Sequence, residues 1–373
     1  MNKITRIIQK SVEKSLFKGK IIIIYGARQV GKTTLVKDII TKYPQDAAYF
    51  NCDEPDVRMN LTNKSSTELK AFFGNKKFIV LDEAQRIENI GITLKLIVDN
   101  FPDIQVIATG SSSFELSDKI AEPLTGRKYE FYLYPFSWNE LRQVFSELEL
   151  KRLLETRLIT GMYPEIALGN EVEKNLKNLA TSYSYKDVLE YQNIKNPEIL
   201  EKLLQALALQ IGNEVSYNEL ASIVGVDKIT VSNYIQILEK AFIIFRLKPF
   251  SRNLRSELKR LRKIYFYDNG IRNALINNLN PLSLRQDVGA LWENFLISER
   301  MKYNNNNELG KNIYFWRTTQ GQEIDYLEDF GGKISGYEFK WKKDKLRIPK
   351  SFATAYPESP VKLVNKENFS EFL

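Results

Sequence analysis

The chain has 373 residues, of which 43% are apolar and 27% charged, and a net charge of +8, as in ordinary water-soluble proteins of two or three domains. It contains no histidine and one cysteine, which excludes histidine-dependent triads, thiolate metal clusters and an intrachain disulfide. Its apolar runs are far shorter than a membrane span, and the first twenty residues have a helical pattern rather than that of a signal peptide. We expect a cytoplasmic protein with no membrane partner, whose metal sites use oxygen ligands.

The first predicted strand, IIIIY at residues 21–25, runs directly into a glycine-rich loop. Residues 26–33 match G-x-x-x-x-G-K-[ST] at every specified position, and an amphipathic helix follows. Such a loop turns backbone N–H groups toward a phosphate, while Lys32 bridges the β- and γ-phosphates and the Thr33 hydroxyl ligates Mg²⁺. The chain has no Asn-Lys-x-Asp guanine-binding motif, so ATP is favoured over GTP. The predicted ATP-binding residues are Gly26, Ala27, Arg28, Gln29, Val30, Gly31, Lys32, Thr33, Thr34, Asp82 and Thr109.

Two further predicted strands end in residues suited to the same chemistry. The segment KKFIVLDEAQR contains a buried run that ends at Asp82, which can hold Mg²⁺, followed by Glu83, which can orient or activate the attacking water. The segment IQVIATGSSS ends in hydroxyl residues, and Thr109 or Ser111 can contact the γ-phosphate from between the other two sites. The alternative for these two residues is a plain loop that leaves a strand.

The middle of the chain predicts helices followed by a helix-turn-helix. Residues 145–210 have helical apolar spacing and are expected to form a lid and a connector. A helix over 217–224, a tight turn at Gly225, a cap at Asp227 and a second helix over 228–240 then follow. The side chains predicted to pack between them are Ala221, Val226, Val231 and Ile235. Those predicted to face a DNA groove are Lys228, Thr230, Ser232, Asn233 and Gln236. A protein-binding module is the alternative.

Positive charge is concentrated in two segments. Residues 246–263 carry eight lysines and arginines against one glutamate, and they overlap the end of FIIFRLKPF (242–250), the predicted strand of a wing. Residues 340–350 carry six against one aspartate. Such segments indicate an anionic partner, and the position of the first beside the helix-turn-helix favours DNA. Solvated surface charge is the alternative for either segment alone.

The last third of the chain predicts short strands with acidic residues at alternating positions. Alternation places Glu323 and Asp325 on one face of a strand, and Glu338 and Lys340 on one face of the next. If the strands pair, Asp325 and Glu338 can share a magnesium ion, with Glu293 arriving from a helix. Lys340 can then stabilise charge on a phosphodiester. Three interpretations stay open: a metal-dependent nuclease, a fold retained for binding DNA without cleavage, and a charged hairpin that faces solvent.

Several segments occur in an order that resembles a widespread prokaryotic group of AAA-type ATPases. They are GARQVGKTTL, FIVLDEAQR, ATGSSS, LTGRKYEFYLYPFSWNE (124–140) and GMYPE (161–165). The resemblance covers nearly the whole chain and implies a nucleotide domain fused to a winged helix and a restriction-endonuclease-like domain of PD-(D/E)xK type. The segment around Asp268 resembles the entry to that last domain. The resemblance also makes Arg127 a candidate γ-phosphate arginine, in cis or from a neighbouring subunit, with a surface salt bridge as the alternative.

These features predict an α/β protein with four regions. They are a P-loop parallel-sheet AAA-type ATPase domain (1–145), a helical lid or connector (146–210), a winged helix-turn-helix (211–262) and a C-terminal α/β restriction-endonuclease-like domain (263–373). The predicted catalytic residues are Lys32, Glu83, Arg127, Glu338 and Lys340. The predicted cofactors are ATP and Mg²⁺, with metal ligands at Thr33, Asp82, Glu293, Asp325 and Glu338. We expect an ATPase that acts on or is regulated by DNA. The alternative is a nucleotide-gated switch that binds partner proteins and cleaves no DNA, and a homo-oligomer is compatible with both.

Overall fold

The protein is described by a computed structural model that covers residues 3–110, 116, 120–180, 197–251, 262–342 and 345–373. The chain divides into two compact units. The first is Met1–Phe136 with Lys240–Phe242, and the second is Ser137–Glu239 with Ile243–Leu373. The first unit therefore ends before the expected boundary at residue 145. The reason is local: the ring of Trp138 packs edge-on against Phe295, and its backbone N–H donates to Glu299 at 2.6 Å, both within the second unit.

The first unit contains a parallel five-stranded sheet. Its strands are β1 (Ile21–Tyr25), β2 (Ala47–Asn51), β3 (Phe78–Asp82), β4 (Gln105–Gly110) and β5 (Lys128–Tyr132). They lie in the order β2-β3-β4-β1-β5, and every neighbouring pair is parallel. β1, β3 and β4 are buried along their whole length, as parallel strands covered on both faces are. The carboxyl ends of all five strands therefore lie at one edge of the sheet.

Short helices connect these strands. They are Gln9–Lys14, Lys32–Ile40, Pro55–Leu61, Ser66–Phe73 and Ile90–Asn100, with a 3₁₀ turn at Ala84–Arg86. The helix Lys32–Ile40 follows the glycine-rich loop and buries Leu35, Val36 and Ile39, which is the predicted amphipathic pattern. Ser65 starts the fourth helix with a reciprocal pair of hydrogen bonds to Glu68.

The second unit contains a seven-stranded mixed sheet. Its strands are β6 (Glu214–Val215), β7 (Ile244–Pro249), β8 (Arg262–Phe266), β9 (Asn312–Arg317), β10 (Glu323–Phe330), β11 (Lys333–Phe339) and β12 (Val361–Val364). The order is β12-β11-β10-β9-β7-β8-β6. β7 pairs parallel with β9, so one sheet runs through the regions that the sequence divides at residue 262. That division falls inside β8, which pairs antiparallel with both β6 and β7.

The helices of the second unit cover much of its length. They are Trp138–Leu141, Glu147–Thr160, Pro164–Leu168, Pro197–Leu209, Tyr217–Val224, Lys228–Lys240, Asn269–Leu275, Val288–Asn306, Lys350–Ala355 and Phe369–Phe372. One buried cluster, formed by Trp316, Ile324, Leu327, Ile334, Phe352 and Val361, lies on the sheet. Among the described residues, no helix is both long and apolar enough to cross a membrane.

The two helices and the glycine turn predicted for residues 217–240 are present in the structure. Helices span Tyr217–Val224 and Lys228–Lys240, and Gly225 between them has a φ of 79°, the left-handed conformation that glycine tolerates. Asp227 Oδ1 accepts the N–H groups of Ile229 and Thr230, at 2.8 and 2.9 Å, which satisfies the start of the second helix. Of the four side chains expected to pack, Val231 and Ile235 are buried, while Ala221 and Val226 are half-buried.

Candidate functional site

The loop of residues 26–33, called the phosphate loop below, lies at the carboxyl end of β1. Two glycines in it are dictated by geometry. A Cβ atom on Gly26 would lie 2.2 Å from the carbonyl oxygen of Leu133, and Gly31 has a φ of 98°. The helix that begins at Lys32 has no side-chain cap. Its amino end is therefore of the kind that binds an anion through backbone N–H groups and the helix dipole.

The ammonium of Lys32 lies inside the phosphate loop. It is 4% exposed, and its Nζ donates to the carbonyl oxygens of Gly26 and Ala27 at 2.9 and 3.0 Å. A buried ammonium surrounded by curled backbone is a suitable partner for phosphate oxygens, because the charge is held where the loop directs its amides. The other predicted loop residues differ in exposure: Ala27 and Val30 are buried, Arg28 is half-buried and Gln29 is exposed.

Three elements meet at the carboxylate of Asp82, the last residue of β3. Thr33 Oγ1, from the phosphate loop, donates to Asp82 Oδ2 at 2.6 Å. Thr109 Oγ1, from β4, donates to Asp82 Oδ1 at 2.5 Å and accepts the backbone N–H of Glu83 at 3.0 Å. β4 lies between β1 and β3, which is why Thr109 falls between the loop and the acid pair, as the sequence predicted for it. Ser111, the other residue proposed for that contact, lies outside the described residues.

This pair of oxygen ligands fits magnesium. Mg²⁺ in nucleotide sites is held by one or two protein oxygens, by phosphate oxygens and by water. The Thr33 hydroxyl and the Asp82 carboxylate are already within hydrogen-bonding distance, and Asp82 is 2% exposed. An ion contacted by both would complete its shell with phosphate and water.

Glu83 has a backbone conformation that is uncommon for its residue type. Its φ is 55° and its ψ 44°, in the left-handed region, which turns the chain sharply after β3. Its carboxylate accepts a hydrogen bond from Gln85 Nε2 at 2.6 Å. Glu83 is half-buried and Gln85 is 3% exposed. The acid is thus placed beside Asp82 with its side chain fixed by a neighbouring amide.

Two residues that no motif includes also contact this region. Tyr49, on β2, donates its hydroxyl to Asp82 Oδ2 at 2.6 Å; burial and the adjacent Asp82 carboxylate raise the pKa of this phenol above its usual value. Arg6 donates from Nη1 to the carbonyl oxygen of Val30 at 2.7 Å and from Nη2 to that of Tyr134 at 2.5 Å. Burial, with the nearby charge of Asp82, raises the pKa of the Cys52 thiol to about 12, so this cysteine stays a neutral thiol.

Arg127 lies at the opposite edge of the sheet from the phosphate loop. It directly precedes β5, and its carbonyl accepts the N–H of Ile21, the first residue of β1, at 2.9 Å. The length of β1, about 13 Å at about 3.3 Å per residue, separates this edge from the loop. Its Nε pairs with Asp99 Oδ1 at 2.6 Å on the surface. The structure therefore does not bring Arg127 to the phosphate loop of its own chain.

In the second unit, two of the acidic residues named from the sequence, Glu293 and Glu323, contact a lysine that the motifs omit. Lys263, on β8, has a side chain that is 2% exposed; its Nζ lies 3.0 Å from Glu293 Oε1 and also pairs with Glu323. The Tyr265 hydroxyl donates to the same Glu293 oxygen at 2.6 Å. Burial acts to lower the pKa of Lys263, but the charges of Glu293 and Glu323 outweigh it and raise that pKa. Lys263 therefore stays charged.

Asp325 and Glu338 lie beside this lysine cluster on paired strands. β10 and β11 are antiparallel neighbours, as the sequence argument required, and Asp325 Oδ2 accepts the N–H of Phe339 at 2.8 Å. Burial, followed by the charges of Glu293 and Glu338, raises the pKa of Asp325 well above its usual value. Lys340 Nζ lies 2.9 Å from Glu338 Oε1. Glu293, Asp325 and Glu338 are half-buried. This burial does not fit the interpretation of a charged hairpin that faces solvent.

These acids do not fit a shared magnesium ion as they stand. Within the described ranges, no group of three or more Asp, Glu or Cys side chains is placed to hold one metal ion. The cation that Glu293 contacts is the Lys263 ammonium.

The basic segment 246–263 is less available to an anionic partner than its composition suggests. Arg246 is bonded to Glu239, with 2.8 Å between Nε and Oε1, and Lys263 is buried in the acidic cluster. Lys248 is exposed, and residues 252–261 lie outside the described part of the chain. On the second helix of the helix-turn-helix, Lys228, Asn233 and Gln236 are exposed as predicted, while Thr230 and Ser232 are half-buried.

Comparison with known proteins matches three segments of the chain to family models. Residues 18–142 match the AAA domain family. Residues 151–282 and 288–370 match two families that are described only as domains of unknown function, DUF8612 and DUF4143. The AAA match thus contains the phosphate loop, Asp82 and Thr109.

The relatives with similar sequences are described only as uncharacterized proteins, so they indicate no activity. The chain is 26% identical over 346 residues to the uncharacterized protein MJ1544 of Methanocaldococcus jannaschii, covering 86% of this chain and 75% of that one. It is 26% identical over 334 residues to the uncharacterized protein Rv2008c of Mycobacterium tuberculosis, covering 88% and 72%.

Two solved structures are similar only weakly. A DNA polymerase III gamma subunit-related protein of Thermotoga maritima has a TM-score of 0.25 and 16% identity, covering 63% of this chain and 98% of that one. The Pif1 helicase of Candida albicans has a TM-score of 0.27 and 14% identity, covering 48% of each chain. These TM-scores are too low to carry an argument. Residues 18–142, which contain the phosphate loop and Asp82, are thus similar to the AAA domain family, and the two regions that follow match domains of unknown function.

Proposed function

We propose that the first unit binds ATP with magnesium and hydrolyses it. The observation that carries this proposal is the meeting of three elements at Asp82, the last residue of β3: its two carboxylate oxygens accept hydrogen bonds from Thr33 of the phosphate loop and Thr109 of β4. An acid, a hydroxyl and a buried lysine placed around a curled loop are the groups that phosphoryl transfer requires.

Each group has a separate task in hydrolysis. The phosphate loop and Lys32 bind and orient the triphosphate, and burial of the ammonium strengthens that attraction. Magnesium, when bound through Thr33 and Asp82, neutralises charge on the phosphates. Glu83 accepts a proton from the attacking water, and Gln85 holds its carboxylate from one side. Thr109 joins Asp82 to the backbone of Glu83, so a shift at the metal ligand also moves the base.

Replacing Lys32 by alanine tests the nucleotide site. We expect the dissociation constant for ATP to rise about 10- to 100-fold, because a charge-assisted hydrogen bond to phosphate contributes about 1.5–3 kcal/mol. We expect the rate of ATP hydrolysis to fall as well, because less ATP is bound. The measurement is titration with a fluorescent ATP analogue in the presence of Mg²⁺. Lys42→Ala is the matched control, since Lys42 is an exposed lysine just beyond the same helix, paired with Glu13. ATP affinity in the Lys32 variant equal to that of the control would refute the assignment.

We also propose that the second unit engages DNA through a winged helix. Its arrangement of Tyr217–Val224, Gly225 and Lys228–Lys240, followed by the antiparallel strands β7 and β8, suits a helix-turn-helix with a wing. Lys228 and Lys248 are exposed on this module.

The same sheet continues into the region proposed to resemble a restriction endonuclease. Glu293 and Glu323 of that region pair with the Lys263 ammonium, and our proposal includes no cleavage chemistry there.

Stimulation by DNA distinguishes this proposal from a nucleotide-gated switch that binds partner proteins. We expect duplex DNA to raise the ATPase rate, and the logarithm of its affinity to fall with the logarithm of salt concentration by about 0.9 per phosphate contacted. The double variant Lys228→Ala/Lys248→Ala should make that slope shallower by about 2. Lys333→Ala, an exposed lysine at the start of β11, is the control. A rate unaffected by DNA at low salt would favour the partner-protein switch.

A role for Arg127 would require a second copy of the chain. Its side chain is 42% exposed, and its pairing with Asp99 is a surface ion pair. Such pairs contribute about 0–1 kcal/mol, so a neighbouring subunit's nucleotide could compete for this guanidinium at small cost. We propose this only for a homo-oligomer, since the arginine is remote from its own phosphate loop.

A further inference from the structure

Among the described residues, three hydroxyl groups donate hydrogen bonds to the Asp82 carboxylate, and two of these groups belong to residues with an assigned role. Thr33 belongs to the phosphate loop and Thr109 to β4. The third donor is Tyr49, on β2, which is the strand on the other side of β3. Tyr49 lies outside every motif and is separated from Asp82 by more than thirty residues. Its place at the site is therefore a product of the sheet order alone.

The sheet register explains how Tyr49 reaches the carboxylate. Tyr49 is the parallel partner of Val80, two residues before Asp82, so its side chain and that of Asp82 lie on one face of the sheet. Lys37, on the helix that follows the phosphate loop, places its Nζ 4.7 Å from the centre of the Tyr49 ring. The phenol is thus held between that helix and β3, with its hydroxyl directed at Asp82 Oδ2.

The two oxygens of Asp82 are fixed in different ways. Oδ1 is held by Thr109. Among the described residues, Oδ2 accepts hydrogen bonds from Thr33 and from Tyr49, both at 2.6 Å. Thr33 is itself a proposed ligand of the metal, so its hydroxyl must reorient when the ion binds. Tyr49 is the donor to Oδ2 that has no other duty at the metal.

We propose that Tyr49 is a positioning residue that orients the Asp82 carboxylate for magnesium. This inference rests on the proposed ATPase function of the first unit. Without the phenol hydroxyl, the carboxylate can rotate about its Cβ–Cγ bond, and the geometry it shares with Thr33 is lost more readily. Hydrogen bonds to metal-ligating groups commonly govern metal affinity in this way, at about 10- to 100-fold per contact.

The test compares Tyr49→Phe with the wild-type chain in nucleotide binding as a function of Mg²⁺ concentration. A fluorescent ATP analogue is titrated at fixed concentrations of Mg²⁺ and, separately, in excess EDTA. We expect the Mg²⁺ concentration for half-maximal tightening to rise about 10-fold or more. Affinity in EDTA should stay within about twofold, because Tyr49 contacts the metal ligand rather than the phosphate loop. Phenylalanine keeps the ring and its contact with Lys37, so folding is preserved.

The control is Tyr129→Phe, on β5, where the ring lies beneath Lys20 with 4.9 Å between Nζ and the ring centre. It removes a hydroxyl from the same sheet without touching Asp82, and its Mg²⁺ requirement should equal that of the wild type. An unchanged Mg²⁺ requirement in Tyr49→Phe would overturn the inference. An equal loss of affinity in EDTA and in Mg²⁺ would overturn it as well, since that result indicates a structural role. Wild-type protein that binds no nucleotide would instead refute the ATPase proposal itself.

Discussion

Replacing Glu83 by glutamine should leave ATP bound while lowering the rate of hydrolysis by about 10²- to 10⁴-fold, the usual contribution of a general base. Glutamine has the same shape and keeps an oxygen that can accept from Gln85 Nε2, which lies 2.6 Å from the carboxylate. It cannot take a proton from water. The phosphate loop, Lys32 and the Thr33–Asp82 pair are untouched, so the binding groups remain in place.

The experiment separates binding from chemistry. Binding is measured with a fluorescent ATP analogue, and hydrolysis by phosphate release in a single turnover with enzyme in excess. Glu88→Gln is the matched control, because Glu88 is an exposed glutamate five residues further on. This control variant should hydrolyse ATP at the wild-type rate. A Glu83→Gln rate within about threefold of the control would show that another group activates the water. Loss of ATP binding would show that Glu83 supports the loop instead.

The contrast between Glu83 and Tyr49 shows which parts of the site could be predicted from the sequence. The phosphate loop, Asp82 and Glu83 each lie within a short stretch whose strand and turn set their position, and the structure places them together. A buried apolar run followed by an acid is visible without any knowledge of the fold. Tyr49 reaches the same place through the order of the strands, and Arg6 contacts the phosphate loop at Val30 from a segment that precedes β1. No local pattern marks them.

The C-terminal cluster shows the same limit in a different form. Alternation predicted one shared face for Glu323 and Asp325 and another for Glu338 and Lys340. The two strands do pair, but β10 has a register shift between Ile324 and Leu327, beside Asp325. The lysine that pairs with Glu293 and Glu323 comes from β8, in a segment whose charge suggested a surface for DNA. The sequence shows the charge of a residue but not its burial. Composition alone therefore groups Lys263 with basic residues that are expected at the surface. Two of the positive charges of that segment, on Arg246 and Lys263, are instead neutralised by glutamates.

Replacing Lys263 by methionine should destabilise the second unit by about 3 kcal/mol. Methionine matches the length of the buried stem but removes the ammonium that both Glu293 and Glu323 contact. Removing one partner of a buried ion pair costs about 3–5 kcal/mol, since the charge left behind is uncompensated. The lower end applies here, because the two glutamate side chains are 16% and 22% exposed and water can reach them.

Tryptophan fluorescence makes this prediction specific to one unit. All four tryptophans, at positions 138, 292, 316 and 341, lie in the second unit, so urea unfolding followed by their emission reports that unit alone. With a slope of about 3 kcal/mol per molar urea, the midpoint should fall by about 1 M. Lys333→Met, at an exposed position on β11, should leave it unchanged. Adding Glu323→Gln to Lys263→Met should restore part of the loss, because the uncompensated charge is then smaller. A midpoint that does not move in Lys263→Met would mean that the acids do not depend on this lysine, and the case for a metal ion among Glu293, Asp325 and Glu338 would then reopen.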